Sequence, residues 1–237
     1  MILYISIGSG TVFYTNKTPS KFYIYVFSIS MISFKAKLIS ETTVKQYNSK
    51  TSAYENRPAY FISYDKRSEA DLNSALTTSR LWKKGGDRYA KNIANNLYCA
   101  HKRKPYMLCF NKFYALTLQK DNFEKVIPEK VLAMAETLNR KRTMYLEFLQ
   151  VNPKYTAGIT DRKYKDCGQA IIESLKDIRR TKDIVLIPSS FSVKFYEKCG
   201  FVCKDGLMQY KKDKNPSFLK NLINNIKLKD IAKRKFG

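Results

Sequence analysis

Apolar and polar side chains alternate over residues 31–39, the period-two pattern of a half-buried strand, and residues 58–64 (Pro-Ala-Tyr-Phe-Ile-Ser-Tyr) read as a second strand. From Ser68 to Lys102 the period lengthens to that of a helix. Ser68 stands as an N-cap before the acidic Glu69 and Asp71, and Gly85-Gly86 divides the run into two helices. The second helix carries Tyr89, Ile93, Leu97 and Tyr98 at three- and four-residue spacing. Residues 105–110 and 114–119 predict a pair of strands joined by a short turn, and 128–138 a helix. Residues 143–151 (Thr-Met-Tyr-Leu-Glu-Phe-Leu-Gln-Val) predict a strand ended by Asn152-Pro153. Beyond it the pattern gives a helix over 168–178, striped by Ala170, Ile171, Leu175 and Ile178. A strand over 183–187, a helix over 190–198 and strands over 201–204 and 207–211 follow.

The two ends differ from this middle. Residues 1–30 form an apolar, aromatic N-terminal extension whose runs, 1–7 and 22–31, are each short of the roughly 20 apolar residues that cross a bilayer. Lys17 and Lys21 separate the runs and no basic residue precedes the first, so neither makes a good secretory signal. Their β-branched and aromatic content suggests strands, and Met31 offers an alternative start to the domain. Residues 213–237 read as a basic amphipathic C-terminal helix, with Leu219, Leu222, Ile223 and Ile226 on one side. Such a helix either packs on the core or touches RNA or a membrane surface.

At 237 residues, with 44% hydrophobic content, the chain can bury one sizeable core. Five cysteines at no framework spacing fit a reducing compartment, hence the cytoplasm, better than a disulfide scaffold. A formal net charge of +24, spread from end to end, reads either as a solvated basic surface or as an attraction for anions: a phosphate-bearing cofactor, an acidic substrate or RNA. There is one histidine and no metal-ligand cluster, so no metal is expected.

The chemistry concentrates near the C-terminal third. Lys165-Asp166-Cys167-Gly168-Gln169-Ala170 leads into a helix, with small residues where a backbone must approach a ligand and amides that converge on an anion. Leu149-Gln150-Val151-Asn152-Pro153 lies upstream. Downstream come the apolar strand 183–187 and Phe195-Tyr196-Glu197-Lys198-Cys199-Gly200-Phe201. In that order and at those distances, these elements over 144–211 resemble the acyl-CoA-binding half of the Gcn5-related N-acetyltransferase superfamily. The preceding hundred residues are compatible in the order of their strands and helices.

The resemblance implies an α/β domain over 31–212 with the acyl-CoA N-acyltransferase fold: a mixed, largely antiparallel sheet with splayed central parallel strands and helices on both faces. It implies transfer of an acetyl group from acetyl-CoA to a primary amine by direct attack. The family's loop pattern, Arg/Gln-x-x-Gly-x-Gly/Ala, falls on Lys165, Gly168 and Ala170, with Asp166, Cys167 and Gln169 between. Lysine keeps the charge of arginine but loses its planar fork. The resemblance sets Leu149 and Val151 against the pantetheine arm through their backbone. Where the family often has an asparagine after the next strand, this chain has Ser189. Residues 156–163 are an extra segment, either reshaping the acceptor side or without a role.

The resemblance makes Tyr196 the proton donor to the departing thiolate, and Glu147 the better candidate for a general base than the lone His101. Cys167 and Cys199 lie in the motifs without a histidine or aspartate partner, which suits packing better than covalent catalysis. The acceptor is open among a small amine, a protein amine and an aminoacyl-tRNA, with RNA contact and a homodimer as further expectations and no stable membrane insertion. The alternative is a degenerate, non-catalytic version of the fold that binds nucleic acid or protein.

Overall fold

The computed structural model describes residues 3–7, 11–18, 21–28, 35–85, 90–102, 110–178 and 183–211. The expected tail helix, 213–237, lies outside them. The chain divides into two units, Met1–Phe34 and Lys35–Gly237. In the first, β1 (Leu3–Ile7), β2 (Thr11–Thr18) and β3 (Lys21–Ser28) form an antiparallel meander, in keeping with the strand-forming composition of those residues.

The second unit is built on a nine-stranded sheet. A long hairpin, β4 (Lys37–Asn48) and β5 (Ala53–Tyr64), is followed by helices α1 (Glu69–Lys84) and α2 (Asn92–Lys102). Then come β6 (Asn111–Thr117), β7 (Val131–Arg140), β8 (Thr143–Val151) and a short β9 (Tyr164–Lys165). Helix α3 (Cys167–Asp177), β10 (Asp183–Leu186), α4 (Val193–Lys198), β11 (Val202–Lys204) and β12 (Leu207–Tyr210) complete the unit. The strand order is β11-β12-β10-β8-β7-β6-β5-β4-β9, with β8 and β10 parallel and every other neighbour antiparallel.

Local chemistry explains most boundaries. Ser68 caps α1 by accepting the Asp71 N–H at 3.1 Å, as its position before Glu69 and Asp71 predicts. Asp205 and Gly206, at φ of 52° and 75°, make the two-residue turn between β11 and β12, a geometry that favours Asp-Gly. Two buried clusters cover the two faces of the sheet. On one, α3 through Ile171 and Leu175, α4 through Tyr196, and the following Phe201 pack against Phe61, Leu116 and Leu146. On the other, α1 and α2 pack through Trp82, Ile93 and Leu97 against Ile62, Phe113 and Met134.

Two expectations are corrected. Residues 128–138, read as a helix, hold a single 3-10 turn and then β7. Their Ala, Leu, Met and Glu favour a helix, but Val131–Thr137 is buried without interruption in a central strand between β6 and β8. A strand covered on both faces loses the alternation that would announce it, and tertiary packing overrides propensity. Of the strand pair expected over 105–119, residues 105–109 lie outside the described residues, and the rest forms β6 between β5 and β7. The first predicted strand, 31–39, begins at Lys37 among the described residues and runs on to Asn48, through polar residues that pairing with β5 and β9 sustains. Among the described residues no helix is long and apolar enough to cross a membrane.

Candidate active site

Strand β8 stays paired with β7 through Val151, which faces Ala133, but meets β10 only over Thr143–Tyr145. The two parallel strands then part. Into the opening project Leu149 and Val151 from β8, Phe195 and Tyr196 from α4, and the first turn of α3. The resulting cleft holds about 460 Å³. This is the splayed pair that the resemblance implies.

One end of the cleft is built for an anion. The Ala170 N–H donates to the Asp166 carbonyl at 2.8 Å, which leaves the amides of Cys167, Gly168 and Gln169 without acceptors inside the helix. Asp166, at φ of 64°, does not cap them with its side chain. Arg162 adds a full charge: it lines the cleft, and its Nε is buried with no hydrogen-bond partner among the described residues. An orphaned guanidinium nitrogen beside free helix amides fits a diphosphate or another multiply charged phosphate group.

Segment 156–163, extra to the pattern that the resemblance implies, delivers Arg162. The Arg162 carbonyl accepts the Tyr54 hydroxyl at 2.7 Å, and the Lys163 carbonyl accepts the Tyr47 N–H at 2.9 Å. These bonds fasten the segment to the β4–β5 hairpin. Thr156 and Ala157 join Arg162 in the wall. Lys165, which the resemblance puts at the phosphates, stands elsewhere: its ammonium lies 3.6 Å from the centre of the Tyr54 ring and does not line the cleft. Pairing of β9 with Lys45 and Gln46 of β4 turns it that way. Arg162 was not singled out in the sequence because it lies inside the insertion, out of register with the loop pattern.

Tyr196 lines the other part of the cleft, 8% exposed, and makes edge contacts with Phe195 and Phe201 at 5.0 and 5.6 Å. Burial pushes its phenol up to about 12, with Cys199 adding to the effect, so it keeps its proton at neutral pH. Burial likewise pushes the Cys167 thiol up to about 12 and raises that of Cys199, which removes both as thiolate nucleophiles. Cys167 instead directs its thiol at the Lys165 carbonyl.

The other sequence candidates lie outside the cleft. Ala170 is buried in the core under α3. Ser189 is exposed on the loop after β10, and its hydroxyl donates to Ser192 Oγ at 2.9 Å; Ser192 itself lines the cleft. Glu147 occupies a bulge in β8 opposite the Glu136–Thr137 step of β7 and is exposed. His101 holds the Lys66 carbonyl at 3.0 Å through Nδ1. Glu136, missed because its segment reads as helical, is a carboxylate only 1% exposed. It accepts from Asn96 at 2.7 Å and from Asn111 at 2.8 Å, and burial raises it despite these bonds, with Glu147 adding to the effect.

No protein-family model matches the chain, and no curated protein matches it. Solved structures do share part of its course. The PaiA N-acetyltransferase of Thermoplasma acidophilum, in complex with coenzyme A, is 15% identical at a TM-score of 0.41, over 65% of this chain and 99% of its own. The ribosomal-protein-S18-alanine N-acetyltransferase of Escherichia coli is 15% identical at a TM-score of 0.39, over 67% and 97%. Likeness at this level transfers no residue role, and the strand order and the cleft described above stand on their own geometry.

Proposed function

We propose that the protein is an acyl-CoA-dependent N-acetyltransferase that moves an acetyl group from acetyl-CoA to a primary amine. One observation carries the reading: the free amides of α3 with Arg162, and the protonated hydroxyl of Tyr196, converge on one cleft between parting parallel strands. The anion end suits the diphosphate, and the apolar walls of Leu149, Val151 and Phe195 suit the pantetheine arm. Acetyl-CoA supplies the activated thioester carbonyl.

In this mechanism the unprotonated amine adds to the thioester carbonyl, forming the C–N bond. The Val151 N–H donates to the developing oxyanion. As the C–S bond breaks, Tyr196 gives its proton to the sulfur and regains one from solvent. The proton lost by the amine leaves through water, with Glu147 as its acceptor outside the cleft. No metal enters any of these steps.

A second reading, a non-catalytic binding module, is supported by Lys165 lying on Tyr54 and Ser189 outside the cleft. Calorimetric titration with acetyl-CoA separates the two when followed by an acceptor screen of small amines, peptide N-termini and aminoacyl-tRNA. Micromolar binding with turnover on any acceptor supports the enzyme, and binding without turnover supports the module. Absence of binding removes the cofactor assignment.

A further inference from the structure

The end of the sheet away from the cleft carries a second feature. Strand β8 leads from this end, at Thr143, to the cleft, at Val151. Here Lys37 of β4 faces Ser63 of β5, Tyr64 faces Phe113 of β6, and Asn111 faces Leu138 of β7. A groove of about 380 Å³ opens among these strand ends, lined by Lys35, Lys37, Lys66, Arg67 and Lys112 with Asp65 as the one carboxylate. The adjoining β7–β8 turn is Arg140-Lys141-Arg142, all exposed.

Local pairing does not neutralise this end. Arg67 bridges Asp65 at 3.2 Å, and Lys35 bridges Glu124 at 2.6 Å. Lys37, Lys112 and the three cations of the turn make no ion pair within 4 Å among the described residues, although the charge of Lys37 is felt by Asp65. The turn also departs from the residue its backbone favours. Lys141 sits at φ of 46°, a left-handed conformation where Gly or Asn is the cheaper choice by about 1 kcal/mol.

Beside the turn stands an aromatic. The Phe110 carbonyl accepts the Asn139 N–H at 3.1 Å, which fixes its backbone next to Arg140, and its side chain is 62% exposed. Lys37 and Lys112 in the strand-end groove, the cations of the adjoining turn and the exposed ring beside that turn match the two demands of a single-stranded polynucleotide: charge for the phosphates and a platform for a base. An acidic peptide or an anionic membrane uses the charge alone.

We infer that this basic end binds single-stranded nucleic acid, with phosphates on Lys37, Lys112 and the 140–142 turn and a base stacked on Phe110. The inference is independent of the chemistry assigned to the cleft.

Fluorescence anisotropy on the full chain tests it, using a labelled oligouridylate about twelve nucleotides long, its deoxy counterpart and a duplex of equal length. Expected is micromolar binding at low salt, weakening steeply as salt rises. The triple variant Arg140→Gln, Lys141→Asn, Arg142→Gln should lose about tenfold in affinity and flatten the log–log salt slope by about two. Lys141→Asn suits the left-handed turn, so this variant keeps the fold. A control triple at other exposed sites, Lys50→Gln, Lys83→Gln, Lys84→Gln, should stay within about twofold of wild type, since it leaves the groove intact. Phe110→Ala should weaken the single strand several-fold and the duplex little. The deoxy probe decides whether the site prefers RNA. Equal losses in the two triples, no binding at low salt, or polyglutamate or anionic vesicles binding as tightly as the oligonucleotide would each overturn the inference. Acetyl-CoA affinity should be the same in all these variants, so failure here and failure of the enzyme reading remain distinguishable.

Discussion

Gly168 and Phe195 lie against one another across the cleft: a Cβ on Gly168 would stand 3.2 Å from Phe195 Cζ and 3.3 Å from Val151 Cγ2. A side chain at this position, at the start of α3, would therefore press on α4 before any ligand is considered. Gly168→Ala gains helix propensity, worth about 0.5–1 kcal/mol, but pushes the half-buried Phe195 or Val151 aside in the cleft wall, at about 1–3 kcal/mol. Net destabilisation of about 1 kcal/mol is expected, together with weaker acetyl-CoA binding as the ring is pushed into the cleft. In a Phe195→Leu background the same substitution should become stabilising. A thermal double-mutant cycle reads this directly, and an additive result would mean the two residues do not meet.

Tyr196 is buried with its phenol pushed up to about 12, so it stays protonated at every ordinary pH. Removing the hydroxyl while keeping the ring should spare the contacts to Phe195 and Phe201. Tyr196→Phe is expected to lower kcat by about 10²-fold while the dissociation constant for acetyl-CoA holds steady. Loss of affinity with unchanged kcat would make the residue a wall of the cleft and not the donor.

Lys165 stands away from the cleft in which the resemblance sets it, and Arg162 lines that cleft. Arg162 has its buried Nε in the cleft wall, whereas the Lys165 ammonium rests on Tyr54. Arg162→Ala is expected to weaken acetyl-CoA binding about tenfold or more, as one charge-assisted contact to phosphate is lost. Lys165→Ala should change affinity by less than about threefold and lower stability slightly through the lost cation–π contact. Titration of both variants with acetyl-CoA and with dephosphorylated pantetheine locates the effect, since the Arg162 loss should vanish with the uncharged ligand.

What the sequence revealed follows the range of the forces involved. The α3 turn, β10 and α4 were legible because each rests on neighbouring residues: a small-residue loop, an apolar run, an aromatic pair around Tyr196. The parting of β8 from β10 came only through the resemblance. Strand β7 was not legible, since its uninterrupted burial erased the period-two signal and left a helix-like composition. Arg162 was hidden for another reason. Its place in the cleft depends on bonds from Tyr47 and Tyr54, more than a hundred residues away, which no local pattern encodes.

Asp71 gives a prediction about pH. The residue is fully buried at the third position of α1; its Oδ2 accepts the Asp65 N–H at 2.7 Å and its Oδ1 has no hydrogen-bond partner among the described residues. Burial pushes its carboxyl up to about 6 from 3.8; hydrogen bonds from the Asp65 and Ala36 amides oppose the shift, and the charge of Asp65 reinforces it. Because the folded value lies above the unfolded one, the favourable contribution is complete below about pH 4 and is lost as pH rises through about 6. Asp71→Asn keeps a carbonyl oxygen for the Asp65 N–H and carries no charge to desolvate. The variant should therefore match or fall below wild type at pH 4 and exceed it at pH 7 by on the order of 1 kcal/mol. Thermal melts of both proteins across that interval measure the difference. A gap that stays constant with pH would mean that the Asp71 carboxyl ionises in the folded protein as it does in the unfolded chain.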